Sequence, residues 1–268
     1  MLIKRPLIAL AGVATTIALT ALMSAVPASA MTGGYVALGD SYSSGVGSGN
    51  YTSESGSCDR STLAYSALWN NAHHPSSYVS VACSGAKTTD VNANQLSALS
   101  SSTGLVSITI GGNDVGFSNI METCVLGSTD DCVAAVNSAE ATAQSTLPGL
   151  LNTTYNNIRS HAPNAQVVVL DYPVFYHLNV SCGIGLSSTS RAKIDEGINM
   201  ADGIIQSAVT GHSNFTFADV RSAFSGHQLC DSSTWLHSLN FTDITESYHP
   251  TSSGQSGAYL PVFSSAVH

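Results

Sequence analysis

The chain reads as an α/β protein, a three-layer α/β/α sandwich around a central, mostly parallel sheet of five strands. Five short runs, each almost wholly apolar or β-branched, recur along it, as strands buried on both faces do. Longer stretches with helical spacing and few breakers separate them, which implies βαβ units with helices on both sides of the sheet. No internal repeat or linker interrupts the alternation, so residues 31–268 are expected to form a single domain, long enough to bury a sizeable core.

The first 30 residues stand apart from that domain. Lys4 and Arg5 precede a mostly apolar run from Leu7 to Val26, and Ala28-Ser29-Ala30 supplies a small-residue cleavage site. Together these make a secretory signal peptide. A membrane anchor is the rival reading, but the cleavage site follows the apolar run directly, and no later stretch reaches the roughly 20 apolar residues of a span. The protein is therefore expected to be secreted, with no stable membrane anchor.

The strands follow in order: GYVAL (34–38), YVSVA (78–82), LVSITI (105–110), QVVVL (166–170) and NFTFADV (214–220). Val133 to Arg159 and Ser190 to Thr210 carry the helical spacing. Ligands of such sheets bind beyond the carboxyl ends of the strands. The residues placed there are Asp40-Ser41 after the first strand, Cys83-Ser84-Gly85-Ala86 after the second and Gly111-Gly112-Asn113-Asp114 after the third. Tyr172-Pro173-Val174-Phe175-Tyr176 follow the fourth.

Charge narrows the partners. The formal net charge is −9 and becomes more negative once Lys4 and Arg5 are removed. Such a surface repels phosphate backbones, which argues against nucleic acid. The six cysteines, an even number in an exported chain, point to disulfides rather than to zinc, because none of their spacings is a C-x-x-C pair. Of the fifteen possible connectivities, sequential pairing closes the smallest loops: Cys58–Cys83, Cys124–Cys132 and Cys182–Cys230. No metal or other cofactor is expected.

The strand ends also carry the parts of an acyl-transfer site, which needs a nucleophile, a base and donors for an oxyanion. Ser41 lies in a glycine-flanked turn that exposes its hydroxyl. Gly85 offers an unobstructed backbone N–H, and Asn113 an amide donor behind two glycines. Each is ordinary alone, since a serine in such a turn is usually a turn former and GGND often starts a helix; their placement at three successive strand ends is not. Of nine histidines, His249 stands out, followed by Pro250 and a Ser/Thr cluster and preceded three residues earlier by Glu246.

The blocks GDSYSSG, CSGA, GGND and ESYHP, in this order and spread over nearly all of residues 31–268, resemble the SGNH (GDSL) hydrolases. The likeness is strongest to their secreted bacterial lipase and phospholipase A1 branch, whose six-cysteine layout is also similar. The resemblance implies a flavodoxin-like sandwich and a serine carboxylester hydrolase that works through an acyl-enzyme on a lipid or other acyl ester. It makes Ser41 the nucleophile and His249 the general base, with the Ser41 and Gly85 N–H groups and the Asn113 side chain as the oxyanion hole. One departure stands out: the common pattern has Asp three residues before the histidine, where this chain has Glu246. In the branch it most resembles, a backbone carbonyl two residues before the histidine can orient the ring, here that of Ser247. The expectation is a Ser41–His249 dyad oriented by the Ser247 carbonyl, with Glu246 as the competing third member.

The substrate reading is a triacylglycerol lipase or esterase, with phospholipase A1 as the alternative. A non-catalytic binding module on the same fold is the alternative from another class, though a binder has no reason to keep nucleophile, base and donors together. Val115, Phe117, Ile120, Met121, Val174 and Phe175 read either as an acyl groove or as core. A monomer is expected.

Overall fold

The computed structural model describes residues 1, 33–182 and 185–268, so the expected signal peptide lies, Met1 apart, outside the described residues. Five strands form one sheet: β1 (Gly34–Gly39), β2 (Tyr78–Ser80), β3 (Thr103–Thr109), β4 (Gln166–Leu170) and β5 (Phe215–Ala218). Their order is β2-β1-β3-β4-β5, and every neighbouring pair is parallel. β1, β3 and β4 are buried almost throughout, which is why their sequences are apolar on both alternating sets of side chains. β2 is an edge strand and ends at Ser80, short of the YVSVA run. The chain still follows β1 beyond it, through Val81 N–H to the Ala37 carbonyl (2.9 Å) and Cys83 N–H to the Gly39 carbonyl (3.0 Å).

Among the described residues, six α-helices of four residues or more frame the sheet: α1 (Ser41–Ser44), α2 (Tyr65–His73), α3 (Phe117–Leu126), α4 (Thr129–His161), α5 (Ser188–Thr210) and α6 (Leu260–Ala266). The two helical stretches read from the sequence lie inside α4 and α5. Ser128 and Asp131 start α4 as a reciprocal capping box. α4 and α5 pack against each other on one face of the sheet, with Leu147, Leu151 and Ile158 fully buried; each such side chain contributes about 1.5–3 kcal/mol. On the other face, Tyr35 of β1 packs against Trp69 of α2 (5.3 Å between ring centroids) and Phe263 of α6 (5.5 Å).

The three disulfides are Cys58–Cys83, Cys124–Cys132 and Cys182–Cys230. The first ties the loop after α1 to the turn that carries Gly85.

The strand order places the site. From β1 the chain crosses to β2 on one side, and from β3 to β4 on the other, so the loops leaving β1 and β3 diverge and open a crevice. Ser41 follows β1 and Asn113 follows β3.

Candidate active site

Ser41 is the first residue of α1, so its backbone N–H has no partner within the helix. Asp40 caps that helix, with its Oδ1 accepting from the Tyr42 N–H at 3.1 Å. The approach to the turn is forced: Gly39 has φ +119°, and a Cβ there would collide with the Thr109 carbonyl. Gln95, itself buried, brackets Gly39 from both sides, accepting from its N–H (2.7 Å) and donating to its carbonyl (2.9 Å). The Asp40 carboxylate also accepts from Thr109 Oγ1 (2.7 Å) and from the Tyr172 hydroxyl. Burial pushes the Asp40 carboxyl up to about 6, against the lowering effect of these donors.

His249 reaches the same point from the far end of the chain. Its Nε2 lies 2.7 Å from Ser41 Oγ, and its Nδ1 lies 3.0 Å from the Ser247 carbonyl. With Nδ1–H donated to that carbonyl, Nε2 is left to accept the serine proton. The intervening Tyr248 has φ +65°, an unusual conformation for an aromatic residue, which turns the Ser247 carbonyl back toward the ring. Burial holds the His249 imidazole down at about 4, although its bond to Ser247 acts in the opposite sense. Glu246 is engaged elsewhere: Oε1 accepts from the Tyr51 hydroxyl (2.7 Å) and Oε2 from Asn240 Nδ2 (3.3 Å).

The candidate oxyanion donors sit on adjoining turns. Asn113 Nδ2 donates to the Ala86 carbonyl at 3.0 Å, which fixes the amide and leaves its second hydrogen free. Asp114 locks the two turns together, accepting from Thr88 N–H (3.0 Å) and Thr88 Oγ1 (2.6 Å). Gly85 has φ +76° with open space where a Cβ would be, and its N–H donates to none of the described residues. Behind Asn113, the Gly112 N–H donates to the Tyr172 hydroxyl (3.1 Å), so one tyrosine joins the β3 turn to Asp40.

A model of the GDSL-like lipase/acylhydrolase family matches residues 37–256 of this chain. The chain belongs to that family. It is accordingly a carboxylic ester hydrolase, as the four sequence blocks imply. It is 54% identical to Lipase 1 of Streptomyces coelicolor over 97% of this chain and 96% of that protein. Among solved structures it resembles a phospholipase A1 from Streptomyces albidoflavus, with 51% identity and a TM-score of 0.86. It also resembles an extracellular lipase from Streptomyces rimosus, with 50% identity and a TM-score of 0.85. Each match covers 88% of this chain and all of the other.

In this family member, Ser41 and Asn113 border a concave, largely apolar cavity that opens to solvent, the kind of site that takes small ligands. Val115, Phe117, Ile120, Met121 and Phe175 line it while also belonging to or packing against the hydrophobic core, so the groove and core readings both fit them, whereas Val174 and Gly85 are not among its lining residues. The opposite wall comes from α4 (Val136, Ala139, Ala143) and α5 (Ile194, Ile198, Ala201), which carry no motif. Sequence reasoning also misses Gln95, and it places Tyr172 at a strand end without a role; their partners lie 56 and 132 residues away. His177, which has no acidic residue close in sequence, pairs with Asp231 at 2.6 Å. Among the described residues, no three His, Cys, Asp or Glu side chains converge as a metal-ligand set, and no helix is long and apolar enough to cross a membrane.

Proposed function

We propose that the protein is a secreted lipase that hydrolyses fatty-acyl esters through a Ser41 acyl-enzyme. The observation that carries this is the Ser41 Oγ to His249 Nε2 contact of 2.7 Å at the edge of an apolar cavity. Ser41 Oγ bonds to the ester carbonyl carbon as its proton passes to His249 Nε2. The resulting oxyanion is met by the Ser41 and Gly85 N–H groups and by Asn113 Nδ2. The carbon–oxygen ester bond then breaks, and the leaving alkoxide takes the proton from His249. Water repeats the sequence on the acyl-enzyme, giving its proton to His249, and the fatty acid leaves as Ser41 recovers its hydrogen. The Ser247 carbonyl holds the ring in the required tautomer, and Glu246 contributes only through its charge. The acyl chain occupies the apolar cavity, residues 1–30 direct export, and residues 31–268 act as one catalytic domain in a monomer. Export accords with the relative from S. rimosus, itself described as extracellular.

A fluorophosphonate probe should label Ser41, which a binding module without an activated serine does not allow. Hydrolysis of triacylglycerols beside phospholipids, with positional analysis of the released acid, tests the substrate. Release from triacylglycerol supports the lipase reading, and failure on every ester overturns it. The likeness to the S. albidoflavus phospholipase A1 favours a second reading, for which the acid would come from the first position of the phospholipid.

A further inference from the structure

One residue lining the acyl cavity, Glu140, is held in an ion pair with Lys193. Leu147 of α4 packs beside Gly111, the first residue after the third strand's run, and Asp202 of α5 accepts from the Tyr172 N–H just after β4. Seven residues before Leu147, about 10 Å along the helix axis, α4 presents Glu140. Five residues before Asp202, about 7.5 Å along the axis, α5 presents Gly197. Both line the cavity, so its lining extends from Ser41 at the strand ends out to this level.

At that level the chemistry changes. Glu140 Oε2 accepts from Lys193 Nζ at 2.8 Å, while Glu140 Oε1 is buried and has no hydrogen-bond partner among the described residues. The two side chains are only 17% and 13% exposed, which places them between cavity and solvent. Gly197 lets α5 come close here: a Cβ on it would lie 2.9 Å from Val136 Cγ1 and 3.8 Å from Glu140 Oε1. A methylene chain pressed against Glu140 surrounds a carboxylate that already lacks one partner with apolar atoms and brings it no donor, which is unfavourable.

We propose that Glu140, anchored by Lys193, is the specificity-determining end wall of the acyl pocket and sets the longest acyl group that is efficiently turned over. The inference rests on the acyl-enzyme reading above. Lys193 also lies 3.3 Å from Glu196 Oε2, so it keeps a partner when Glu140 is shortened.

The test is kcat/KM on p-nitrophenyl butanoate, octanoate and hexadecanoate for the wild type, Glu140→Ala and Gly197→Ala. In Glu140→Ala the hexadecanoate-to-octanoate ratio should rise by at least about tenfold, the scale on which pocket contacts discriminate chain length. In Gly197→Ala, which narrows the same level without touching the charge, the octanoate-to-butanoate ratio should fall. An unchanged hexadecanoate-to-octanoate ratio in a soluble Glu140→Ala protein overturns the proposal. Should that variant fail to fold, an unchanged octanoate-to-butanoate ratio in Gly197→Ala does the same. Absence of hydrolysis by the wild type on all three esters instead defeats the underlying lipase reading, so the two failures are distinct.

Discussion

Ser41 and His249 meet at 2.7 Å, yet the two are held in different ways. Around Ser41 the fixing groups are buried side chains from distant parts of the chain: Gln95 on Gly39, Thr109 and Tyr172 on Asp40, and Gln255 on the Tyr42 carbonyl (3.0 Å). Around His249 they are mostly backbone groups of its own loop. Its N–H donates to the Glu246 carbonyl (3.1 Å), its carbonyl accepts from the His237 N–H (2.9 Å), and its Nδ1 meets the Ser247 carbonyl. The Tyr42 hydroxyl, donating to the Tyr248 carbonyl at 2.8 Å, is a buried side-chain link into this loop. Elsewhere the loop is open to solvent, with Phe241 85% and Ile244 62% exposed. The contrast teaches that the position of Ser41 depends on tertiary packing, while the His249 ring is aimed largely by local backbone geometry.

The largest effects fall on the contact itself. Ser41→Ala and His249→Ala should each lower kcat on a short-chain ester by about 10⁴- to 10⁶-fold with the fold intact by circular dichroism. A Ser41→Ala enzyme keeping more than about a hundredth of wild-type turnover would remove the nucleophile assignment and with it the comparison. Asn113→Ala should cost roughly 10²- to 10³-fold, almost wholly in kcat, because an oxyanion donor acts in the transition state. A change confined to KM would make Asn113 a binding residue.

The pH profile separates the two regions next. His249 is held down at about 4, so the acid limb of kcat/KM should have its midpoint well below the ordinary imidazole value of about 6.5; a midpoint at or above that value contradicts the buried, neutral base. Stability follows with the sign fixed by linkage. Between about 4 and 6.5 the unfolded imidazole binds a proton that the native one does not, so His249 costs stability as pH falls through that window. Asp40, raised to about 6, acts in reverse: its contribution is present below its ordinary range and is lost as pH rises through 6. Denaturant titrations of wild type and Asp40→Asn across this range should show the second contribution disappear in the variant.

Smaller effects sharpen the contrast between packing and backbone. Tyr172→Phe removes the hydroxyl shared by Asp40 and the Gly112 N–H, leaving the buried Asp40 Oδ2 and the half-buried Gly112 N–H short of a partner, and should cost about 1–3 kcal/mol in urea unfolding. Thr245→Ala, on the exposed side of the His249 loop, should stay within about 0.5 kcal/mol. The smallest effect on catalysis is expected at Glu246. Its carboxylate is taken by Tyr51 and Asn240, so Glu246→Gln should lose less than about tenfold in kcat, whereas amide replacement of a triad carboxylate costs on the order of 10⁴-fold. A loss matching that of His249→Ala would restore Glu246 as a full partner of the ring.

The sequence by itself determined what local side-chain pattern can encode. Continuous apolar runs specify strands buried on both faces, so β1, β3 and β4 were legible within one or two residues. Edge strand β2 ran over because its apolar run continues past the last ladder pair. GDSYSSG, CSGA, GGND and ESYHP were legible because a turn at a strand end needs glycine or a capping side chain at fixed positions, and His249 because of what surrounds it in sequence. Only the tertiary structure decided the rest. Nothing in ESYHP says whether Glu246 or the Ser247 carbonyl faces Nδ1. That follows from the positive φ of Tyr248 and from Tyr51, 195 residues from Glu246, drawing its carboxylate away. Gln95, the bond from Tyr172 to Asp40 and the α4–α5 wall of the cavity were invisible for the same physical reason. A side chain's periodicity reports which way it points within its own element, but its partner depends on how the chain is routed between elements, and here the strand order β2-β1-β3-β4-β5 fixes that route.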